Sequence, residues 1–241
     1  MVTALRGQTV VLIGGSAGIG LETARRARLE GAEVILTGRS PDRLQQAASE
    51  VDALSTAAFD ATDTASLQKF FRDLVAPIDH VMVTAGGPSY VPLLDMTAEQ
   101  VRDALSDHVV LDLEVARAAA GSMRPDGSLV FMGGTGGRRV DHRVGIVSAA
   151  TAALPPFTAA LALELAPTRV NLIAAGFVDT PLSANLLGDA LEDRRNELRT
   201  TLPIRRVVTA EDVAALAVHL MVNTALTGAT YDIDGGQQFT P

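Results

Sequence analysis

At 241 residues the chain has room for one α/β domain with a filled core or for two small ones, and we expect one. Twenty Lys+Arg against 28 Asp+Glu leave a net charge of −8, which argues against a nucleic-acid surface, and zero cysteines exclude disulfides, thiolate metal sites and a cysteine nucleophile. No uninterrupted apolar run reaches the roughly 18 to 20 residues of a membrane span, and the polar start from Met1 to Gln8 lacks the form of a leader, so we expect a cytoplasmic protein with no membrane partner.

The first apolar run, Val10 to Ile13, reads as a strand that passes through Gly14 to Gly20 (GGSAGIG) into a helix over Leu21 to Leu29. A strand, a glycine-rich turn and a helix start in that order form a phosphate cradle. Glycines let the backbone turn tightly and approach a diphosphate, while the free N–H groups and positive dipole end of the helix face the anion. Gly14, Ser16, Ala17, Gly18, Ile19 and Gly20 are the first candidate contacts.

The second strand, Glu33 to Thr37, ends at Gly38, Arg39 and Ser40. In dinucleotide folds this tip meets the adenosine ribose, where an acid accepts from the 2′-hydroxyl of NAD and an arginine accommodates the extra phosphate of NADP. Arg39 holds the tip and no acid does, with Ser16 as a second donor; the alternative is a solvated arginine ending a strand.

Pro41 to Val51 is helix-like, with Ser40 as N-cap and Pro41 at the first helical position. A short third strand ends at Phe59 and Asp60, and a helix follows from Asp63 to Val75. The fourth strand, Asp79 to Thr84, runs into Ala85, Gly86 and Gly87; beyond a loop to Leu93, one helix starts near Thr97 and a longer one ends near Met123. The fifth strand, Gly127 to Met132, ends in the run Gly133 to Gly137. The helical segment after it carries Pro155 and Pro156, which cannot donate backbone hydrogen bonds and clash with the preceding turn at about 3 kcal/mol or more. A kink or restart is expected there. A sixth strand (Arg169 to Ile173), a helical stretch (Pro181 to Thr200), a helix over Glu211 to Val222 capped by Thr209, and a last strand within Thr227 to Gly236 complete the chain. This alternation implies a single-domain Rossmann-type doubly wound parallel sheet of about seven strands with helices on both faces. His80, His108, His142 and His219 show no ligand spacing, so no metal is expected.

From Gly7 to Gly236 these features resemble the short-chain dehydrogenase/reductase (SDR) family. Gly14, Gly18 and Gly20 match its TGxxxGIG turn, with Ile13 where Thr is usual. The resemblance implies that Asp60, beside Ala61 in FDATD, accepts from the adenine amino group, the alternative being a turn or capping acid. It implies that Thr84, Ala85 and Gly86 of TAGG stand for the NNAG turn near the ribose. It implies further that Gly176, Val178 and Thr180 stand for PG-x-x-x-T, with the Val178 backbone facing the nicotinamide carboxamide, and that residues at about 181–200 form a substrate lid within one domain spanning 1–241.

The segment Val147 to Leu154 (VSAATAAL) matches the family's YSASKAAV, which sets the register. The serine, tyrosine and lysine positions then hold Gly134, Val147 and Thr151. Lys69 is the only lysine, and neither Tyr90 nor Tyr231 has a lysine four residues on; His108 stands near the family's helical asparagine. Substitute donors are His142, Ser148 and Tyr90, in a neighbourhood with Arg138, Arg139, Asp141 and Arg143; for His142 the alternative is a solvated loop residue. Phe157, Leu161 and Leu165 share a helical face, either as an intrachain stripe or as the subunit pairing that would make a homodimer or homotetramer. The expected function is NADP(H)-dependent oxidoreduction of a small-molecule carbonyl or alcohol, NADP(H) preferred over NAD(H), at an atypical active site. The alternative is a catalytically inactive NADP(H)-binding homologue serving as a sensor or partner protein.

Overall fold

The computed structural model describes residues 3–75, 77–138, 142 and 144–240. Seven strands, β1 (Thr9–Ile13), β2 (Glu33–Gly38), β3 (Ser55–Ala58), β4 (Ile78–Val83), β5 (Met123–Gly134), β6 (Arg169–Ala175) and β9 (Thr230–Ile233), form one sheet in the order β3-β2-β1-β4-β5-β6-β9. Every pairing in it is parallel. The short β7 (Val178–Asp179) and β8 (Val208–Thr209) pair separately. This is the doubly wound sheet that the alternation of elements predicts.

Alternate side chains of each strand enter opposite cores, so the central strands read as unbroken apolar runs. Val10, Leu12, Val34 and Leu36 pack with α1 (Gly18–Leu29), α2 (Pro41–Val51) and α9 (Ala210–Val222). Val11, Ile13, Val81 and Val83 pack on the other side with α3 (Thr64–Asp73), α5 (Leu111–Ala120) and α6 (Gly145–Glu164). Ser40 caps α2 as expected, its hydroxyl accepting from the Arg43 N–H at 3.4 Å. Helix α4 (Ala98–Leu105) opens on a reciprocal cap between Thr97 and Gln100, and a five-residue π-helical stretch, Ser106–Val110, joins it to α5.

The expected restart at Pro155 and Pro156 does not occur: α6 continues through both from Gly145 to Glu164. Leu154 before the prolines and Thr158 and Leu161 after them are buried, so packing keeps both halves helical although two backbone donors are missing. The stripe of Phe157, Leu161 and Leu165 belongs to the intrachain core, with Phe157 tilted against Phe131 at 6.4 Å between ring centres. By length and composition α6 is apolar enough to cross a membrane, yet 44% of its most apolar window is buried inside the protein. Two further helices, α7 (Pro181–Leu187) and α8 (Leu191–Thr201), follow β7.

The N-terminal edge of the sheet carries two buried polar anchors. His80 on β4 joins Ser128 through Nδ1 and Gln8 through Nε2, both at 2.8 Å. Burial, helped by nearby Arg169 and opposed by Asp126, pushes its imidazole down to about 4. Arg169 donates to the carbonyls of Leu220 (2.6 Å), Met221 (2.7 Å) and Asn223 (3.1 Å), closing the C-terminal end of α9.

Candidate active site

The chain leaves β1 toward β2 and leaves β4 toward β5, so the connections diverge between β1 and β4. In open α/β sheets a crevice forms at the carboxyl ends of such strands. Here it is a cleft of about 800 Å³. Its floor is crowded backbone. A Cβ on Gly20 would lie 2.3 Å from the Gly14 carbonyl oxygen, and one on Gly14, whose φ is +101°, would lie 2.7 Å from the Ala85 nitrogen. Thr84 locks the two strands from beneath, its hydroxyl donating to the Gly14 carbonyl at 3.0 Å. No side chain caps the start of α1 at Ala17, and its first turn holds no acid. That leaves N–H donors facing the cleft with no intramolecular competitor from a capping side chain.

The predicted positions fall into two groups. Gly14, Ala17, Gly18, Ile19, Gly20, Thr84, Ala85, Gly86, Gly176, Val178 and Thr180 all line the cleft. Thr180 caps α7 and sits over Gly18, where an added Cβ would lie 3.6 Å from the Thr180 Cβ. The Val178 carbonyl already accepts from the Ser183 hydroxyl at 2.5 Å.

Ser16, Arg39, Ser40, Asp60 and Ala61 lie outside the cleft lining, toward the ends of β2 and β3. Ser16 Oγ is 3.1 Å from where a Cβ on Gly38 would be, which sets it against the end of β2, and Arg39 next in the chain is exposed. Asp60 accepts from the Thr62 N–H at 3.0 Å and its hydroxyl at 2.8 Å. These bonds hold the carboxyl below its ordinary range, with a smaller pull from Arg39. Asp60 thus braces a local turn, a role compatible with the adenine contact that the resemblance implies.

Gly134, Val147 and Thr151 converge on the cleft wall, since a Cβ on Gly134 would meet Thr151 Cγ2 at 3.5 Å. The Thr151 hydroxyl turns back into its own helix, 2.8 Å from the Val147 carbonyl. Of the substitute donors, only Tyr90 lines the cleft, 47% exposed, its phenol pushed up by burial against the opposing pull of Arg194. Ser148 is buried behind Gly136, and its Oγ finds no hydrogen-bond partner among the described residues. His142 is exposed and does not line the cleft; Arg139, Asp141 and Arg143 lie outside the described residues.

Several lining residues carry no motif. Asp107, His108 and Asp112 enter from the π-helical stretch and the start of α5, and Arg194 and Glu197 from α8. Arg194 stacks 6.0 Å from the centre of the Phe177 ring. Its neighbour Arg195 grips both Asp179 oxygens at 2.9 and 2.7 Å, fastening α8 to β7. His108 is the residue that the resemblance set near the family's helical asparagine, and Asp112 carries a signal of its own as an acid on the apolar face that also holds Val115, Ala116 and Ala119.

Residues 14–238 match the sequence family described as Enoyl-(Acyl carrier protein) reductase. The chain is similar to ATR9, a short-chain dehydrogenase/reductase of Stachybotrys chlorohalonatus, at 30% identity over 96% of this chain and 97% of that one. It is 29% identical to the NADP-dependent (R)-specific alcohol dehydrogenase of Lentilactobacillus kefiri over 98% of each chain. Among solved structures, the MalC Reductase/Diels-Alderase of Malbranchea aurantiaca aligns with a TM-score of 0.92 at 25% identity over 98% of each chain.

Proposed function

The chain belongs to the short-chain dehydrogenase/reductase family, and from that footing we propose that it is an NADP(H)-dependent oxidoreductase acting on a small carbonyl or alcohol. Its active site is rebuilt without the family's serine, tyrosine and lysine. The observation that carries the reading is the crowded glycine floor joined to an uncapped helix start: an anion fits where no Cβ can. Backbone donors from Ala17 to Gly20 hold the diphosphate. Arg39 at the end of β2, with Ser16 against Gly38, favours a 2′-phosphate, and the relative from L. kefiri is named as NADP-dependent. Ala85, Gly86, Gly176, Val178 and Thr180 surround the nicotinamide half.

The bound dinucleotide supplies a hydride. The chain's residues supply the rest: Gly18 and Thr180 close over the diphosphate, α7 and α8 screen the substrate from water as a lid over 181–200, and the cleft wall receives the substrate's oxygen. Val147 holds no transferable proton and the Thr151 hydroxyl is engaged within α6. Acid catalysis contributes typically 10²- to 10⁴-fold, so the donor lies elsewhere in the cleft. The same two residues favour a second reading, a homologue that binds NADP(H) without turnover. A homodimer or homotetramer is supported by the apolar side chains that α6 turns outward, Leu163 being 82% exposed.

The test is calorimetric titration of NADPH and NADH, followed by NADPH oxidation with a panel of aldehydes and ketones. NADPH binding with turnover supports the first reading, binding without turnover supports the second, and no binding of either dinucleotide removes both. Arg39→Asp should weaken NADPH by roughly 10- to 100-fold, as expected for a lost charge-assisted contact of about 1.5–3 kcal/mol, while sparing NADH.

A further inference from the structure

Reduction of a carbonyl leaves an electron pair on oxygen that must be met by a proton. Among the described residues the ionisable side chains lining the cleft are Tyr90, Asp107, His108, Asp112, Arg194 and Glu197. Asp112 alone among them is fully enclosed, only 3% exposed, and its Oδ2 has no hydrogen-bond partner among the described residues. A buried oxygen without a partner carries a large penalty as part of a carboxylate and a smaller one as a protonated hydroxyl.

The backbone aims it. In the wide π-helical turn bonds run from i to i+5, which brings positions 107 and 112 toward one line and sets His108 beside them. Such turns occur frequently at functional sites. Helix α5 starts at the carboxyl edge of the sheet, where a Cβ on Gly86 would lie 2.4 Å from the Asp107 carbonyl and 3.7 Å from Leu111. Asp112 therefore faces the cleft between the bend after β4 and the glycines ending β5.

We propose that Asp112 is the proton donor of this site. The inference rests on the oxidoreductase reading. A ketone or aldehyde carbon accepts a hydride from the reduced nicotinamide, and the C=O π pair moves to oxygen. That oxygen takes the proton from the Asp112 carboxyl on its cleft side, Oδ2 being sealed from the cleft, and the acid's O–H bond breaks. The substrate gains two electrons, the dinucleotide is oxidised by two, and Asp112 is left as a carboxylate that recovers its proton from water entering the cleft.

The surroundings favour the protonated form of the acid. Burial pushes its carboxyl well above the ordinary range, with no contributing charge. Asp107 and His108 lie on the preceding turn, Tyr90 on the loop after β4, and Arg194 and Glu197 on α8. The neighbouring α3 brings Lys69, Arg72 and Asp73; Asp79 and His80 on β4 and Arg124 and Asp126 on β5 stand toward the opposite edge of the sheet. Helix α6 adds only Glu164, at its far end.

Two measurements test this. Infrared difference spectroscopy on the intact protein at neutral pH should show the carbonyl stretch of a protonated carboxylic acid that disappears in Asp112→Asn. That variant should bind NADPH with unchanged affinity and lose about 10²- to 10⁴-fold in kcat. Absence of the Asp112-dependent band overturns the proposal, as does turnover by Asp112→Asn within a few-fold of the parent. If the parent binds NADPH and turns over nothing, the oxidoreductase reading falls and the donor with it; turnover that survives in the variant removes the donor alone.

Discussion

Acidification should unfasten the N-terminal edge of the sheet through His80. An exposed imidazole titrates at 6.5, and in the folded protein that of His80 titrates at about 4. The unfolded chain therefore binds the proton first as pH falls, so the stability linked to His80 is complete above pH 6.5 and is lost between pH 6.5 and 4. At about 1.4 kcal/mol per decade of proton affinity, that interval is worth roughly 3 kcal/mol, a large part of a typical domain's stability. The variant His80→Gln removes the titration while keeping a polar side chain between Gln8 and Ser128. Urea unfolding of both proteins at pH 7 and pH 4 gives the difference of differences, in which every other titrating group cancels. The parent should lose roughly 3 kcal/mol more than the variant over this range; equal losses would refute the assignment of His80 as a buried neutral imidazole.

Two other perturbations have equally direct outcomes. Gly20→Ala places a methyl group 2.3 Å from the Gly14 carbonyl and 2.7 Å from the Thr84 hydroxyl. It should destabilise the fold by about 1–3 kcal/mol, as overpacking does, and weaken NADPH at least tenfold, read by thermal melts with and without NADPH. Arg169→Met strips donors from the buried carbonyls of Leu220 and Met221. At about 1–3 kcal/mol per orphaned buried group, urea denaturation should register a loss of roughly 2–5 kcal/mol.

Local signals were legible wherever one short segment decides the outcome. Helix α2 has the predicted bounds, Pro41–Val51, because Ser40 and Pro41 fix its start and the apolar spacing fixes its face. The glycine turn was readable because crowding excludes side chains there, although α1 begins at Gly18, inside the stretch read as turn. The π-helical stretch was not readable, since nothing local in Ser106–Val110 specifies one extra residue in a turn. Nor was the unbroken course of α6, where burial of Leu154 and Leu161 overrides the local preference of two prolines. Asp112 stands as an acid on an apolar stripe, yet its meaning depends on a cavity that segments from one end of the chain to the other enclose. Arg194 and Glu197 carry no pattern at all, because helix α8 reaches the cleft only through the chain's return from β7.

The enclosed carboxyl on α5 has a consequence for how the protein keeps. Its folded-state proton affinity exceeds that of the open chain, so between the ordinary carboxylate range and its raised folded one, closing the fold takes up a hydrogen ion. Folding is thereby tied to the alkalinity of its surroundings. Rising pH should therefore lower the share of stability linked to this acid, and a ligand that offers it a lone pair should offset that loss most where the medium is least acidic.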